Sequence, residues 1–227
     1  PRQANELLTQ RHMDLAASLQ AATELIVLRL TRAIRQETGI GNLCLAGGVA
    51  LNCVANGKVL RDGQFDNIWI QPAAGDAGGA LGAALAVHHI HLGHARSADG
   101  RDKMSGSYLG PAFEQSNIER RLTAVGAKFK VLGDGGLFQA GAAALAEGKA
   151  LGWFQGRMEF GPRALGGRSV LGDARSPAMQ SVLNLKVKYR ESFRPFAPSV
   201  LRDDVAHWFE LDGDSPYMLL VADVVKN

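Results

Sequence analysis

Apolar residues recur at helical spacing over the first part of the chain, from about Leu15 to Thr38. The positions that share one face are Leu19, Ala22, Leu25, Ile26, Leu28, Leu30 and Ile34. Side chains three and four residues apart lie on the same side of an α-helix, so this spacing predicts an amphipathic helix. Gly39 predicts the end of that helix, because glycine readily adopts the left-handed conformation that closes one.

The spacing then changes to short apolar runs separated by glycine. Residues 43–46 and 68–70 predict two buried strands, and each is followed by glycines that open a helix, at about 49–61 and 77–92. This order of helix, strand, helix, strand and helix predicts an α/β layer.

A polar stretch rich in glycine and serine, 93–106, has almost no large apolar residues and predicts a linker. We therefore divide the chain into a first domain at 1–98, a linker at 99–107 and a second domain at 108–227. Within the second domain, the patterns predict helices at 116–124 (capped by Ser116 or Asn117), 137–147, near Pro177 and at 203–209, and strands at 128–132, 150–154 and 218–222.

Composition places the chain among ordinary globular proteins, with 46% hydrophobic and 21% charged residues in a length of 227. No apolar run approaches the roughly 18 residues that a membrane helix needs, so we expect no membrane partner. We expect Cys44 and Cys53 to be buried, reduced thiols, since two cysteines make no disulfide framework or zinc site, and this favours a cytoplasmic location. Because the first residue is Pro1, we expect a fragment of a longer protein.

Positive charge is concentrated in one region. Residues 150–202 contain nine Lys and Arg against three acidic residues, a net charge of +6, whereas the whole chain carries only +3. A local excess of this kind indicates an anion-binding site rather than a generally basic surface.

The densest part of this region is the arginine loop, residues 156–169, which reads GRMEFGPRALGGRS. Glycine lets a backbone approach a ligand closely, and arginine offers a fixed fork of donors that fits phosphate or carboxylate oxygens. Lys186, Lys188, Arg190 and Arg194 follow. The aromatic residues here flank prolines and glycines and form no stacking platform, so a phosphate pocket fits better than a nucleic-acid surface or a solvated basic face.

Two glycine turns in the first half are weaker candidates for a ligand site. Residues 46–52 (AGGVALN) and 75–84 (GDAGGALGAA) each open a helix whose backbone N–H groups could face an anion. Each is equally explained as a tight strand-to-helix turn, with Asp76 as an N-cap. Four histidines at 88, 89, 91 and 94 have partly helical spacing, and a polar helix end explains them better than a metal site.

Together, three blocks of sequence resemble the carbamoyltransferase family, which includes nodulation-factor and antibiotic O-carbamoyltransferases. The blocks are residues 45–52, residues 75–83, and the arginine loop continued by KYRESFRPFAP at 188–198. The resemblance implies an α/β fold: the carboxy-terminal part of an ASKHA-type, actin-like domain, followed by part of a YrdC-like domain. It also implies an ATP-dependent reaction, in which carbamoyl adenylate forms from carbamoyl phosphate and ATP before the carbamoyl group passes to a hydroxyl of a small-molecule acceptor.

The family's functional residues carry over by motif. The resemblance implies that Asp76 is a ligand of a divalent metal, iron or magnesium. It implies nucleotide contacts in the first domain, from Gly47, Gly48, Asn52, Gly78 and Gly79. In the second domain it implies catalytic or phosphate-binding roles for Arg157, Arg163, Arg168, Lys188 and Arg194, with substrate contacts from Glu159, Ser169 and Arg190. Glu159 could orient an arginine or the carbamoyl amine.

The chain also departs from the family pattern. The amino-terminal half of the ASKHA-type domain, with the two histidines that complete the metal site, is absent, so we expect the fragment to be inactive alone. A half domain would also expose apolar surface and could associate as a homodimer. Two other hypotheses stay open at this point: an enzyme of threonylcarbamoyl-adenylate type that modifies tRNA, and a non-catalytic module that binds a nucleotide or anion.

Overall fold

The computed structural model describes residues 6–226, and its architecture is mixed α/β with helices and two small sheets. Its contacts divide the chain into two units. Unit 1 contains the chain up to His94 together with Phe209–Leu211 and the segment from Leu219 onward, and unit 2 contains Ala95–Trp208 and Asp212–Met218. Within residues 6–226, no helix is both long enough and apolar enough to cross a membrane.

Unit 1 begins with the predicted long helix. Helix α1 spans Gln10–Thr38 and ends at Gly39, which has a left-handed backbone (φ 66°) and donates its N–H to the carbonyl oxygen of Arg35 at 2.9 Å. The glycine stop is confirmed, because the left-handed residue lets the last turn satisfy one of its open carbonyls.

The predicted strands and helices of unit 1 are confirmed in type and order. Strand β1 (Asn42–Leu45) pairs in parallel with β2 (Asn67–Ile70), from Asn42 opposite Asn67 to Leu45 opposite Ile70. Between them lie a short 3₁₀ turn at Gly48–Leu51 and helix α2 (Cys53–Asp62). Helix α3 (Asp76–Ala86) follows β2 and continues as a π-helical turn, Val87–His91.

Helix α1 contacts α2 through polar side chains. The Arg32 guanidinium donates from Nε to Asp62 Oδ2 at 2.8 Å, and Lys58 pairs with the buried Glu24. The apolar face of α1 is exposed instead: the exposed fraction is 71% for Leu19 and 58% for Leu30. The amphipathic pattern therefore predicted the helix correctly, but the described residues do not cover its apolar face.

The end of the chain returns to α2. The predicted strand at 218–222 is wrong: only Phe209 and Val224 form an isolated antiparallel bridge among the described residues there. Leu219 is buried, and its carbonyl oxygen accepts a hydrogen bond from Asn56 Nδ2 at 3.0 Å. This segment is held by side chains of α2 rather than by a sheet, which apolar patterning cannot reveal.

Unit 2 is organised around a hairpin. Strands β3 (Leu151–Phe154) and β4 (Arg168–Leu171) are antiparallel, with Phe154 opposite Arg168. The helices of this unit are α4 (Gln115–Ala124), α5 (Asp134–Ala146), α6 (Met179–Val182) with a π-helical turn at Leu183–Val187, and α7 (Val205–Trp208) after a 3₁₀ turn at Arg202–Asp204.

Two sequence predictions for unit 2 are wrong, and one strand has no counterpart among the predictions. Residues 128–132 alternate in polarity but form no strand, because no other strand pairs with them. Helix α4 has Glu114 as its N-cap, so Ser116 and Asn117 lie inside the helix. The apolar pattern does not predict strand β4, because two of its four residues, Arg168 and Ser169, are polar residues of the arginine loop.

Tyr217 provides a test of unit 2 at alkaline pH. Its hydroxyl is buried, binds the Asp102 carboxylate and accepts the Gly106 N–H at 3.1 Å. Burial, with the nearby carboxylate, raises the pKa of Tyr217 from 10.0 to about 12. A raised folded pKa means that the stabilisation is complete below pH 10.0 and is lost as the pH rises towards 12.

We therefore expect the tyrosinate absorbance of the chain to include one component that titrates near pH 12 and is absent in Tyr217→Phe. Unfolding measured against pH should show the same difference, with wild type losing stability relative to the variant only above pH 10.0. Identical absorbance titrations for the two proteins would contradict this environment for Tyr217.

Candidate functional site

The arginine loop is the connection between β3 and β4. The ladder continues one step beyond the strands, since Gln155 donates its N–H to the carbonyl oxygen of Gly167 at 2.9 Å. The hairpin thus brings the two ends of the loop together, and residues 156–166 form a closed loop between them. Its three arginines, Arg157, Arg163 and Arg168, are thereby held in one small region.

Glu159 lies at the centre of this loop with its carboxylate buried, the side chain being 1% exposed. Oε1 accepts backbone N–H groups from Leu165 at 2.6 Å and from Gly167 at 2.8 Å. Oε2 lies 3.3 Å from Arg168 Nε. The backbone N–H groups of Leu165 and Gly167 are therefore used by the Glu159 carboxylate, which leaves the arginine side chains as the candidate anion ligands of the loop.

The pKa of Glu159 reflects the balance of these contacts. Burial alone would raise the pKa of the carboxyl, but the backbone N–H donors of Leu165 and Gly167 outweigh burial and lower it below the ordinary 4.5. Glu159 is consequently ionised at neutral pH. Within the described residues, its carboxylate contacts the loop backbone and lies beside Arg168.

Gly167 is required here by close approach. A Cβ at this position would lie 2.7 Å from the carbonyl oxygen of Arg157 and 3.1 Å from Glu159 Oε2. No larger residue fits without moving the loop, so one glycine of the motif serves to pack the buried carboxylate.

A second segment, 107–111, lines the loop and was missed by the sequence analysis. Gly110 donates its N–H to the Met158 carbonyl oxygen at 2.9 Å, and Met158 donates to Pro111 at 3.0 Å. The Tyr108 hydroxyl donates to the Leu165 carbonyl oxygen at 2.6 Å. No local signal in the sequence marks this segment, because its role depends on backbone pairing with residues about 50 positions away.

The arginines of the loop have different surroundings. Arg168 is structural in part, since it faces Glu159 and donates to the carbonyl oxygen of Gly161 at 3.0 Å. Arg157 is exposed and donates from Nε to Gly110 O at 3.0 Å, and Arg163 is half-buried. Ser169 accepts the Gly166 N–H at 3.1 Å, so its hydroxyl also supports the loop.

The second basic segment follows α6. Its cations are Lys186, Lys188, Arg190 and Arg194. Both lysines are exposed, Arg194 pairs with Glu191 at 2.8 Å, and the Arg190 guanidinium carbon lies 5.0 Å from the centre of the Phe196 ring. Helix α6 packs where β4 ends: a Cβ on Gly172 would lie 2.7 Å from Met179 Cγ. Both basic segments therefore belong to unit 2 and are joined through the end of β4.

The two glycine turns of unit 1 lie side by side, as expected when parallel strands end at one sheet edge. Gly47 donates its N–H to the Ala74 carbonyl oxygen at 2.9 Å, which joins the turns directly. A Cβ on Gly78 would lie 2.1 Å from the Ala73 carbonyl oxygen, whereas Gly48 and Gly79 have open space beside them. Gly78 is thus packed against the backbone, and the Gly47 N–H is used within the unit. Gly47, Gly48 and Gly79 all have open space at the position of a Cβ.

Asn52 is also engaged structurally. It is the N-cap of α2, accepting the Ala55 N–H at 3.1 Å, and its amide exchanges hydrogen bonds with the Gln20 amide of α1. Both polar atoms of the side chain are therefore used within unit 1. Asn56, in the same turn, is buried and donates to the carbonyl oxygens of Ala50 and Leu219.

Asp76 is exposed and is the first residue of α3, with Gly75 as the N-cap. The N-cap interpretation of Asp76 is therefore wrong. No group of three or more His, Cys, Asp or Glu side chains in the part of the chain that the structure describes could hold a metal ion. Asp76 alone does not fit a divalent metal, which needs several oxygen or nitrogen ligands.

The remaining candidates do not form a site. The rings of His88 and His94 stack with centroids 4.4 Å apart at the exposed end of the π-helical turn. This favours the polar helix end over a metal site. Both cysteines are free thiols, and the prediction of burial is wrong for Cys44, which is exposed on β1.

An open cleft of 370 Å³ lies between α5 and β3, and no lysine or arginine is among the residues that line it. Leu137, Phe138 and Trp153 line it, and the two aromatic rings are stacked 6.3 Å apart. Its apolar lining does not suit a phosphate, so the basic segments remain the candidate site.

Comparison with known proteins covers both units. Residues 2–85 match the family model described as carbamoyltransferase N-terminus, and residues 142–227 match the one described as carbamoyltransferase C-terminus. The chain is 62% identical over 227 residues to an uncharacterized protein of Synechocystis sp. The aligned region covers 99% of this chain and 37% of that protein.

Two further relatives are nodulation proteins. The chain is 47% identical over 220 residues to nodulation protein NolO of Bradyrhizobium diazoefficiens, covering 95% of this chain and 39% of NolO. It is 45% identical over 220 residues to nodulation protein NolNO of Sinorhizobium fredii, covering 95% of this chain and 32% of that protein. The chain thus spans between 32% and 39% of the length of these three relatives.

Proposed function

This chain belongs to the carbamoyltransferase family, and we propose that the full-length protein transfers a carbamoyl group to a hydroxyl of a small-molecule acceptor. The carbamoyl donor is carbamoyl phosphate, ATP is the second substrate, and carbamoyl adenylate is the intermediate. Unit 1 corresponds to the carboxy-terminal part of the ASKHA-type domain, and unit 2 to part of the YrdC-like domain.

The observation that carries this proposal is the closed arginine loop of unit 2. A buried carboxylate, Glu159, fixes the loop backbone, so the arginines start from a defined scaffold. Fixed cations stabilise the negative charge that develops on phosphate oxygens without the cost of reorganising solvent. We assign anion binding to Arg157, Arg163, Lys188, Arg190 and Arg194, and a supporting role to Arg168 and Ser169.

The stage that forms carbamoyl adenylate needs this positive charge. Water releases phosphate from carbamoyl phosphate, an oxygen of the resulting carbamate bonds to the α-phosphorus of ATP, and pyrophosphate leaves. The oxygen of the acceptor hydroxyl then bonds to the carbamoyl carbon, the O–H bond breaks with release of its proton, and AMP leaves. Both substrates of the first stage are polyanions that repel one another, so holding them together is the main task of the site.

The direct test is carbamoyl phosphate-dependent release of pyrophosphate from ATP by the full-length protein. We expect release without any acceptor, and calorimetry should show saturable binding of carbamoyl phosphate. Release that requires threonine in place of carbamoyl phosphate would instead support the enzyme of tRNA modification. Binding of ATP with no pyrophosphate from either donor would support a non-catalytic module.

Asp76→Ala tests the division of labour between the units. Because Asp76 is exposed in unit 1 and makes no cap bond, the variant should fold normally. The motif match assigns Asp76 to the carbamoyl-transfer step. We therefore expect acceptor carbamoylation to fall by at least about tenfold, the effect of losing one charged contact to the reactants, while pyrophosphate release is unchanged. Loss of both activities together would contradict the assignment of Asp76 to the transfer step.

A further inference from the structure

Asn184, in the π-helical turn after α6, is completely buried, with 0% of the residue exposed. Its amide nitrogen donates two hydrogen bonds, to the carbonyl oxygen of Ser192 at 3.0 Å and to that of Arg194 at 2.8 Å. Its amide oxygen accepts from Arg190 Nε at 2.6 Å. The side chain of Asn184 therefore makes hydrogen bonds to three residues of the second basic segment.

The main chain of Asn184 adds a fourth contact, because its carbonyl oxygen accepts the Arg190 N–H at 3.0 Å. The guanidinium of Arg190 also lies against the Phe196 ring, 5.0 Å from its centre. Arg190 is thus fixed at its backbone, at Nε and at the flat face of its guanidinium. An arginine restrained in this way loses little conformational entropy when an anion binds.

The chemistry of the contacts requires a primary amide. The carbonyl oxygens of Ser192 and Arg194 need donors, and the side-chain Nε–H of Arg190 needs an acceptor. Asparagine supplies the donors and the acceptor from one short side chain. Aspartate has the same shape but offers no donor when ionised. Leucine and alanine offer neither, and would leave buried groups unsatisfied.

We infer that Asn184 is a positioning residue that fixes Arg190 and the backbone of the second basic segment for anion binding. This inference rests on the proposed function, because it requires Arg190 to meet a phosphate or carboxylate oxygen of a substrate. Asn184 itself is buried and does not touch the substrate. Nothing in the sequence pattern distinguished it from other polar residues of the helix.

The test is a double-mutant cycle in the full-length protein, read as kcat/KM for carbamoyl phosphate-dependent pyrophosphate release. We expect Asn184→Ala and Arg190→Ala each to lower kcat/KM by about tenfold or more, the effect of one charged hydrogen bond. In the Arg190→Ala background, Asn184→Ala should cost less than about twofold, because residues that act through one another are not additive. The KM for the acceptor should not change.

Gln180→Ala is the matched control. Gln180 is exposed and donates to the carbonyl oxygens of Phe193 and Arg194, at 3.2 and 3.1 Å, so it contacts the same segment. Both of these hydrogen bonds go to backbone oxygens of the segment and not to the Arg190 side chain. We expect less than about a threefold change in kcat/KM for this variant, since exposed hydrogen bonds contribute little.

Asn184→Asp keeps the shape of the side chain and guards against a variant that fails to fold. Its carboxylate would face two carbonyl oxygens, so kcat/KM should be low at neutral pH and should rise relative to wild type as the pH falls. Protonation restores one donor, which explains this partial recovery.

The outcomes separate the inference from the proposed function. Multiplicative effects in the cycle, or a pH profile for Asn184→Asp parallel to that of wild type, would overturn the positioning role while the proposed function stands. A wild-type protein that releases no pyrophosphate would overturn the proposed function, and this inference with it.

Discussion

Replacing Arg163 with alanine is expected to lower carbamoyl phosphate-dependent pyrophosphate release at least about 100-fold, while the fold is retained. Arg163 lies in the middle of the arginine loop, between the glycines at 161 and 166, and is half-buried. The loop around Arg163 is fixed by Glu159 and by the β3–β4 hairpin. Removing the Arg163 side chain therefore removes a cation and leaves the loop backbone in place. Developing charge on the phosphates would then lose a preorganised partner.

Arg175→Ala is the matched control for Arg163→Ala. Arg175 belongs to the same basic region, but its side chain is 80% exposed, and its guanidinium pairs with Asp173 two residues earlier, at 2.7 Å. The side-chain hydrogen bonds from Arg175 lower the pKa of Asp173 to about 2, so this pair is complete within its own turn. We expect Arg175→Ala to keep wild-type activity. Equal losses in the two variants would show a general charge effect rather than a defined pocket.

Replacing Glu159 with alanine is expected to lower the free energy of unfolding of unit 2 by about 3 kcal/mol, because the buried donors around it would lose the carboxylate that they face. The backbone N–H groups of Leu165 and Gly167 and the Arg168 guanidinium all face this carboxylate. Pyrophosphate release should fall with stability, since the arginines would lose their defined positions. Denaturant unfolding and the activity assay, measured on the same preparation, check both effects.

The pH dependence gives Glu159 a second signature. Its folded pKa is lowered below the ordinary 4.5, so its contribution to stability is complete above pH 4.5 and is lost as the pH falls through the folded pKa. The stability difference between wild type and Glu159→Gln should therefore be constant above pH 4.5 and shrink below it. Glu147→Ala, which removes an exposed carboxylate paired with Lys149, should change stability little. If the difference in unfolding free energy between wild type and Glu159→Gln stayed the same at acidic pH, the pairing of an ionised Glu159 with Arg168 would be contradicted.

Much of the candidate site was readable from residue types. Arginine and glycine in one short loop indicated an anion site, and the local charge excess set it apart from the rest of the chain. What each residue does was less accessible. The resemblance implied a catalytic role for Arg168 and a substrate contact for Ser169. In the structure Arg168 also donates to the Gly161 carbonyl oxygen, Ser169 accepts the Gly166 N–H, and Glu159 accepts the N–H groups of Leu165 and Gly167. A motif reports which side chains are present, but a hydrogen-bond partner depends on how the backbone closes.

Asn184 and Tyr108 are residues whose contacts in the site could not be predicted from residue type. Neither was singled out, because a single polar residue in a helix or a loop has many ordinary explanations. In the structure, Asn184 holds the segment that contains Arg190 and Arg194, and Tyr108 bonds to Leu165 from 57 positions away. Such contacts join residues that no periodicity relates.

The sequence by itself determined the local elements of this protein: the helix that stops at Gly39, the strands β1, β2 and β3, and the glycine turns between strands and helices. These follow from short-range preferences, since spacing, glycine conformation and apolar runs act within a few residues. Only the tertiary structure decided that β4 pairs with β3, that residues 128–132 form no strand, and that the apolar face of α1 is exposed. Those outcomes depend on which distant segment supplies a hydrogen-bond partner or a covering surface, and that information is not local.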